Sequence, residues 1–199
     1  DPSLEAISEA TQVGAGEFYQ IFSEQFQANY PVTCGLLPWT FKRPWPVVSA
    51  IHLIDGYGQP SAPYYFLKRT YEKLHIALKV ERLLWKAGES FPLKASVLNL
   101  TDAIELEKAE VQLTIMDDNF KHLFEASKMV TLKQTPSVKD FSLGNFDIPD
   151  DYKSRYFFAV IKLIDEEGKE LSRSVYWPRT IPQMEQKDFY QKYTSKPVP

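Results

Sequence analysis

The apolar positions change period near residue 75: before it they recur in steps of three and four, after it they alternate. Leu4, Ile7, Thr11, Gly14, Phe18, Ile21 or Phe22, and Phe26 share one side of a 3.6-residue repeat and predict a long helix over residues 3–30. Ser3 is placed to cap it and Glu5 lies in its first turn, where the helix dipole favours negative charge. Asn29-Tyr30-Pro31 ends it, because a residue before proline is driven out of the α region. The Gly14-Ala15-Gly16 run costs about 1 kcal/mol of helix propensity per glycine, which predicts a close approach to a neighbouring element. The aromatic run Phe18, Tyr19, Phe22 and Phe26 is expected in the core, with Glu17 and Glu24 on a solvated face.

Residues 32–39 read as a short buried strand, followed by a loop to about residue 60 that Pro38, Pro44 and Pro46 stiffen. Asp55-Gly56-Tyr57-Gly58 has the residues of a tight turn, and residues 61–74 are helical again with Pro63 in the first turn. Beyond residue 75 come seven strand candidates: 76–85, 91–100, 111–116, 123–132, 138–146, 156–164 and 171–177. Leu93, Ala95 and Val97 alternate with Lys94 and Ser96, and Val111, Leu113 and Ile115 with Gln112 and Thr114. Lys86-Ala87-Gly88-Glu89, Asp117-Asp118-Asn119 and Asp165-Glu166-Glu167-Gly168 supply turns between them. Phe157 and Phe158 point to opposite faces and are read as core. Seven such strands predict an antiparallel immunoglobulin-like β-sandwich. From Arg179 the chain turns polar and proline-dotted, as an extended tail would. The expected domains are residues 1–74, 75–179 and 180–199.

A net charge of −3 with both signs mixed leaves no basic footprint for nucleic acid. The single cysteine, Cys34, excludes an internal disulfide and a cysteine-built zinc site. No apolar run approaches the roughly 20 residues of a membrane span. Catalytic constellations are scarce: His52, His75 and His122 show no ligand spacing, and no nucleophile elbow, zinc helix or phosphate loop occurs. Asn99-Leu100-Thr101 matches a glycosylation pattern short enough to arise by chance. Asp117-Asp118-Asn119 lacks the further ligands of a calcium loop and reads as a hairpin turn.

What remains is aromatic and basic: Trp39, Trp45 and Tyr57, with Lys42 and Arg43 between. A tryptophan at a strand end beside polar side chains suits a sugar, whose apolar ring face stacks on the indole. The same residues would equally serve as a hydrophobic staple for a proline-rich loop.

Gly35-x-x-x-Trp39, Trp45-Pro46-x-x-Ser49, Asp55-x-x-Gly58 and Tyr65-x-x-Lys68-Arg69 resemble the last βα unit of family-2 glycoside hydrolases, nearest the β-mannosidase-like branch. The strands, closing on Ser174-Val175-Tyr176-Trp177-Pro178, resemble the C-terminal sandwich domain of these enzymes. The resemblance implies an α+β fragment: the helical remnant of a (β/α)8 barrel followed by a seven-stranded immunoglobulin-like β-sandwich. A whole barrel needs about 250 residues, so the chain is expected to be part of a longer retaining, exo-acting β-glycosidase. Both catalytic glutamates would lie upstream, no catalytic residue and no cofactor falls here, and the chain alone is expected to be inactive. Trp39 matches the tryptophan that floors the sugar subsite at the scissile bond; Trp45 and Pro46 match the loop behind it. Thr40-Phe41-Lys42-Arg43 stands where mannosidases usually show Gln-x-Asn-Asp after that tryptophan. Two cations thus replace sugar contacts, which would suit an acidic substrate; the alternative is that they pair with carboxylates of other barrel loops. The expected partner is the carbohydrate substrate, with self-association through the barrel-facing helix side. The competing reading is a non-catalytic carbohydrate-binding or adhesion module.

Overall fold

Residues 3–33, 35–46, 52–100 and 104–181 are described in the computed structural model. The chain divides into two units, Asp1–Ala77 with Ser96–Glu105 and Leu132–Lys139, and Leu78–Ala95 with Leu106–Thr131 and Asp140–Pro199.

In the first unit, helix α1 spans Leu4–Ala28 and helix α2 spans Ala62–Thr70. Ser3 caps α1 as expected, its Oγ accepting from the Ala6 amide at 3.1 Å. The buried side of α1 is not the apolar stripe. Gly16, Glu17, Gln20, Ser23 and Glu24 are buried, while Leu4, Ile7 and Phe18 are 86%, 45% and 59% exposed. The expectation that Glu17 and Glu24 face solvent is therefore corrected. The reason lies in α2: Ser23 Oγ donates to Thr70 Oγ1 at 2.9 Å and Gln27 Nε2 to the Thr70 carbonyl at 3.1 Å. Glu24 Oε1 meets His75 Nε2 at 2.8 Å, with both groups sealed from water. A polar face is buried where Ser23, Glu24 and Gln27 find partners. The expected close approach occurs at Gly16, where a Cβ would lie 2.5 Å from the Phe66 ring, and not at Gly14.

The strand expected over residues 32–39 does not form among the described residues. Leu37 is 97% exposed. A lone parallel strand has no ladder to join, and its backbone groups have no reason to extend. Helix α2 ends at Thr70, four residues earlier than the periodicity implied.

Strands β1 (Leu74–Leu78), β3 (Ser90–Asn99) and β6 (Ser137–Asp147) form a sheet in the order β1-β3-β6. A second sheet runs β5-β4-β7-β8, from β5 (His122–Leu132), β4 (Leu106–Met116), β7 (Phe158–Asp165) and β8 (Glu170–Tyr176). β2 (Leu84–Lys86) pairs in parallel with β9 (Arg179–Ile181). The first strand candidate thus divides into β1 and β2, and the start of the expected tail is a strand. Residues 182–199 of that tail lie outside the described residues.

Alternation builds the second unit as it should. Val111, Leu113 and Ile115 face Leu163, Ile161 and Ala159 across the antiparallel β4–β7 ladder, all at most 1% exposed. Phe157 is the hub between layers: Phe91 of β3 lies at 5.2 Å and Phe146 of β6 at 5.4 Å, both edge-on, and Trp85 caps Phe91 at 5.0 Å. Each such ring contributes about 1.5–3 kcal/mol by burial, and edge contacts add about 0.5–1.5 kcal/mol each. Phe158 departs from expectation: it is half-buried and belongs to no core. Asn99 is sealed, its Nδ2 donating to the carbonyls of Ile104 at 2.8 Å and Lys133 at 3.1 Å, which removes it as a glycan acceptor.

Three turns are built alike. In each an aspartate (Asp55, Asp117 or Asp165) accepts through Oδ1 from the amides two and four residues on. In each the fourth residue donates its amide to the aspartate carbonyl and has a left-handed φ, +89° at Gly58, +61° at Phe120 and +80° at Gly168. Two of the three place glycine where the geometry demands it. Phenylalanine there costs about 1–2 kcal/mol.

Candidate functional site

The loop after residue 38 is held by backbone bonds rather than by a ladder. Leu53 and Ile54 donate their amides to the carbonyls of Thr40 (3.1 Å) and Phe41 (2.8 Å), and Arg43 donates to the Ile54 carbonyl (3.1 Å). Ser61 Oγ donates back to the Leu53 carbonyl at 2.9 Å, tying the loop to the start of α2. Gly56 explains why the Asp-Gly pair follows the Trp-Pro pair. A Cβ on it would sit 2.5 Å from the Trp45 carbonyl carbon and the Pro46 nitrogen, so only glycine lets the turn seat on that backbone. Tyr71 anchors the entry to the loop, its hydroxyl donating to the Leu36 carbonyl at 2.7 Å; burial pushes its phenol up.

On this fixed backbone the rings point outward. Trp39 is 78% exposed and Trp45 65% exposed. Lys42 is exposed and Arg43 half-buried. The peptide between Trp39 and Thr40 is cis. Thus the four residues singled out from sequence lie on one short segment, two rings flanking two cations. The stretch 47–51, which includes Ser49 of the Trp-Pro-x-x-Ser pattern, lies outside the described residues, as does Cys34.

A concavity of about 510 Å³ lies in the same unit, lined by Gln12 of α1 and by His52, Asp55 and Ser61 among others. Much of its polar lining is already used: Gln12 Oε1 accepts from the Ala62 amide, Asp55 Oδ1 holds its own turn, and Ser61 Oγ bonds back to carbonyls. No group of three His, Cys, Asp or Glu side chains among the described residues could hold a metal. None of the described helices is long and apolar enough to cross a membrane. Glu17 and Glu24, the carboxylates of α1 nearest in sequence to the loop, are buried, and Glu24 is bound to His75.

Residues 93–181, the part of the chain that runs from β3 to β9, match the family described as the mannosidase Ig/CBM-like domain. The chain also has the fold of the corresponding part of two solved glycoside hydrolases. The exo-chitosanase CsxA of Amycolatopsis orientalis superimposes with a TM-score of 0.70 at 21% identity, over 89% of this chain and 20% of that one. A β-D-mannosidase from Dictyoglomus thermophilum gives 0.59 at 23% identity, over 84% of this chain and 19% of that one. No curated protein sequence matches the chain. The resemblance of the strand pattern to the C-terminal sandwich of family-2 glycoside hydrolases therefore holds over residues 93–181, and the likeness of fold extends over 89% of the chain. The chain spans about a fifth of the length of these solved chains.

Proposed function

We propose that this chain is the C-terminal portion of a retaining, exo-acting β-glycosidase of the β-mannosidase-like kind, and that Trp39 forms one wall of its sugar pocket. The observation that carries this is an indole 78% exposed on a backbone held by hydrogen bonds at Leu36 before it and at Thr40 after it. A staple would bury its rings, whereas Trp39 and Trp45 leave theirs open to a ligand. Such a ring offers a flat apolar face for the C–H side of a pyranose while solvent-facing groups take its hydroxyls. Lys42 and Arg43 then face the same pocket and favour a substrate with acidic character. Lys42, the more exposed of the two, is the freer to do so.

Catalysis in this reading belongs to two carboxyl groups about 5 Å apart, acting through a covalent glycosyl intermediate. Glu17 and Glu24 are not among them: both are buried, and Glu24 is bound to His75. The exposed stripe Leu4, Ile7 and Phe18 fits a barrel helix whose neighbours belong to the rest of the enzyme. Alone, the chain is expected to self-associate through it, and a monodisperse monomer that binds no hydrophobic dye contradicts this.

The test has two arms. The chain by itself should hydrolyse no aryl β-glycoside, and the coding sequence upstream of Asp1 should carry an Asn-Glu pair and a second glutamate. Hydrolysis by the chain alone, lost in Glu24→Gln, would overturn the proposal.

A further inference from the structure

Phe120 is the third residue beyond Asp117 in the β4–β5 turn, the place that Gly58 and Gly168 fill in the two other turns of the same build. A bulky side chain held at φ +61° is retained against backbone preference, which points to a use for the ring itself. The ring is 70% exposed and lies parallel to Phe158, centroids 5.3 Å apart and planes within 2°. Tyr156 braces Phe158 edge-on at 5.3 Å, and its own carbonyl is held by the Tyr152 hydroxyl at 2.9 Å. Phe120 is thus backed on one face and open on the other.

The rim of the ring is polar. Asp118 Oδ1 accepts from Ser154 Oγ at 2.7 Å and from Asn119 Nδ2 at 3.0 Å, which fixes the carboxylate beside the turn and leaves Oδ2 available. Asn119 and Lys121, on either side of Phe120, are exposed. One open ring within a polar border is too small for a protein interface, which needs on the order of 1,000 Å². It suits a small flat ligand with an apolar face and a hydroxyl edge.

We propose that Phe120, backed by Phe158, is a stacking platform for a pyranose unit of a saccharide, with Asp118 and Asn119 taking its hydroxyls. This surface belongs to the sandwich unit and uses none of the loop residues Trp39–Trp45. It would hold a saccharide chain independently of the pocket to which Trp39 is assigned.

The full 199-residue chain is titrated with a β-1,4-linked glucosamine tetramer and with β-1,4-mannotetraose, following amide chemical shifts. Saturable shifts are expected at Asn119, Phe120 and Phe158 with at least one of them. Phe120→Gly should weaken that binding by about tenfold or more while its Tm stays at or above the wild-type value, because glycine suits the turn. Phe120→Trp should retain or strengthen binding, and Trp39→Ala should leave these shifts unchanged, so the two sugar assignments fail separately. The proposal is overturned by the absence of shifts with both tetramers, by binding that Phe120→Gly does not weaken, or by a Phe120→Gly variant that loses self-association instead. Loss of Tm in Phe120→Gly with failure of Phe120→Trp to bind would mark the stack as structural, and overturns it equally.

Discussion

Gly14 and Gly16 stand two residues apart in α1, and alanine is expected to act on them with opposite sign. Both substitutions gain about 1 kcal/mol of helix propensity. At Gly14 that is the whole effect, because a Cβ there meets nothing within 4 Å. Gly14→Ala should raise stability by about 1 kcal/mol. At Gly16 the new Cβ would lie 2.5 Å from Phe66 Cδ2, 2.7 Å from Cε2 and 3.0 Å from Cγ. Carbon atoms settle at about 3.5–4.0 Å, so the ring must retreat by roughly 1 Å. Since Cγ is among the contacts, turning the ring about its own axis does not clear it, so the ring must swing about χ1 or α2 must shift. Overpacking of this kind costs about 1–3 kcal/mol, which leaves Gly16→Ala at about 0–2 kcal/mol below wild type. Urea unfolding followed by far-ultraviolet circular dichroism compares the three proteins directly. The midpoints should fall in the order Gly14→Ala, wild type, Gly16→Ala. Equal stabilisation by both alanines would refute the close α1–α2 contact.

Gly56→Ala sets a Cβ against the backbone of Trp45 and Pro46, which cannot rotate away. It should cost about 1–3 kcal/mol and alter tryptophan emission; an unchanged spectrum and midpoint would contradict the seating of that turn. Asn99 should carry no glycan when the chain passes through a glycosylating secretory pathway, and intact-mass analysis showing a glycan there would contradict its burial. Arg173, 2.6 Å from Glu170, holds that carboxyl below its usual range, against the opposing effect of desolvation; Lys162 adds to the lowering. A depressed carboxylate pKa contributes stability above the unfolded value that is lost as pH falls through the folded one. Arg173→Ala should therefore lower the unfolding free energy slightly at neutral pH, by no more than about 1 kcal/mol for so exposed a pair. The difference should vanish in acid, and a deficit persisting below the carboxylate range would contradict it.

The helix starts, the turns and the strand alternation were legible in the sequence because each is a local matter: Ser3 before an acidic turn, Asp before Gly, Leu beside Lys. The buried side of α1 was not. Its apolar stripe is the more conspicuous, but Ser23, Gln27 and Glu24 find Thr70 and His75 only after 40 or more residues of intervening chain. Residues 32–39 have the composition of a strand, yet a strand needs a neighbour that composition does not supply. Phe158 looked like core because Phe157 beside it is core, and alternation puts them on opposite faces. Its true partner is Phe120, 38 positions away, and the clue was a turn motif with phenylalanine in the glycine place. The loop segment with Trp39, Lys42, Arg43 and Trp45 was readable because its members lie within seven residues of one another. Its rings being exposed rather than stapled was not.

The central claim is that Trp39 is a wall of a sugar pocket. Its direct test is kcat/KM of Trp39→Ala, in the proposed full-length β-glycosidase, on aryl β-mannoside and β-glucosaminide substrates. A lost stacking contact of about 0.5–1.5 kcal/mol lowers kcat/KM roughly 2- to 10-fold, and the exposed indole predicts this with Tm unchanged. An unaltered kcat/KM on every β-glycoside the enzyme accepts would contradict the account.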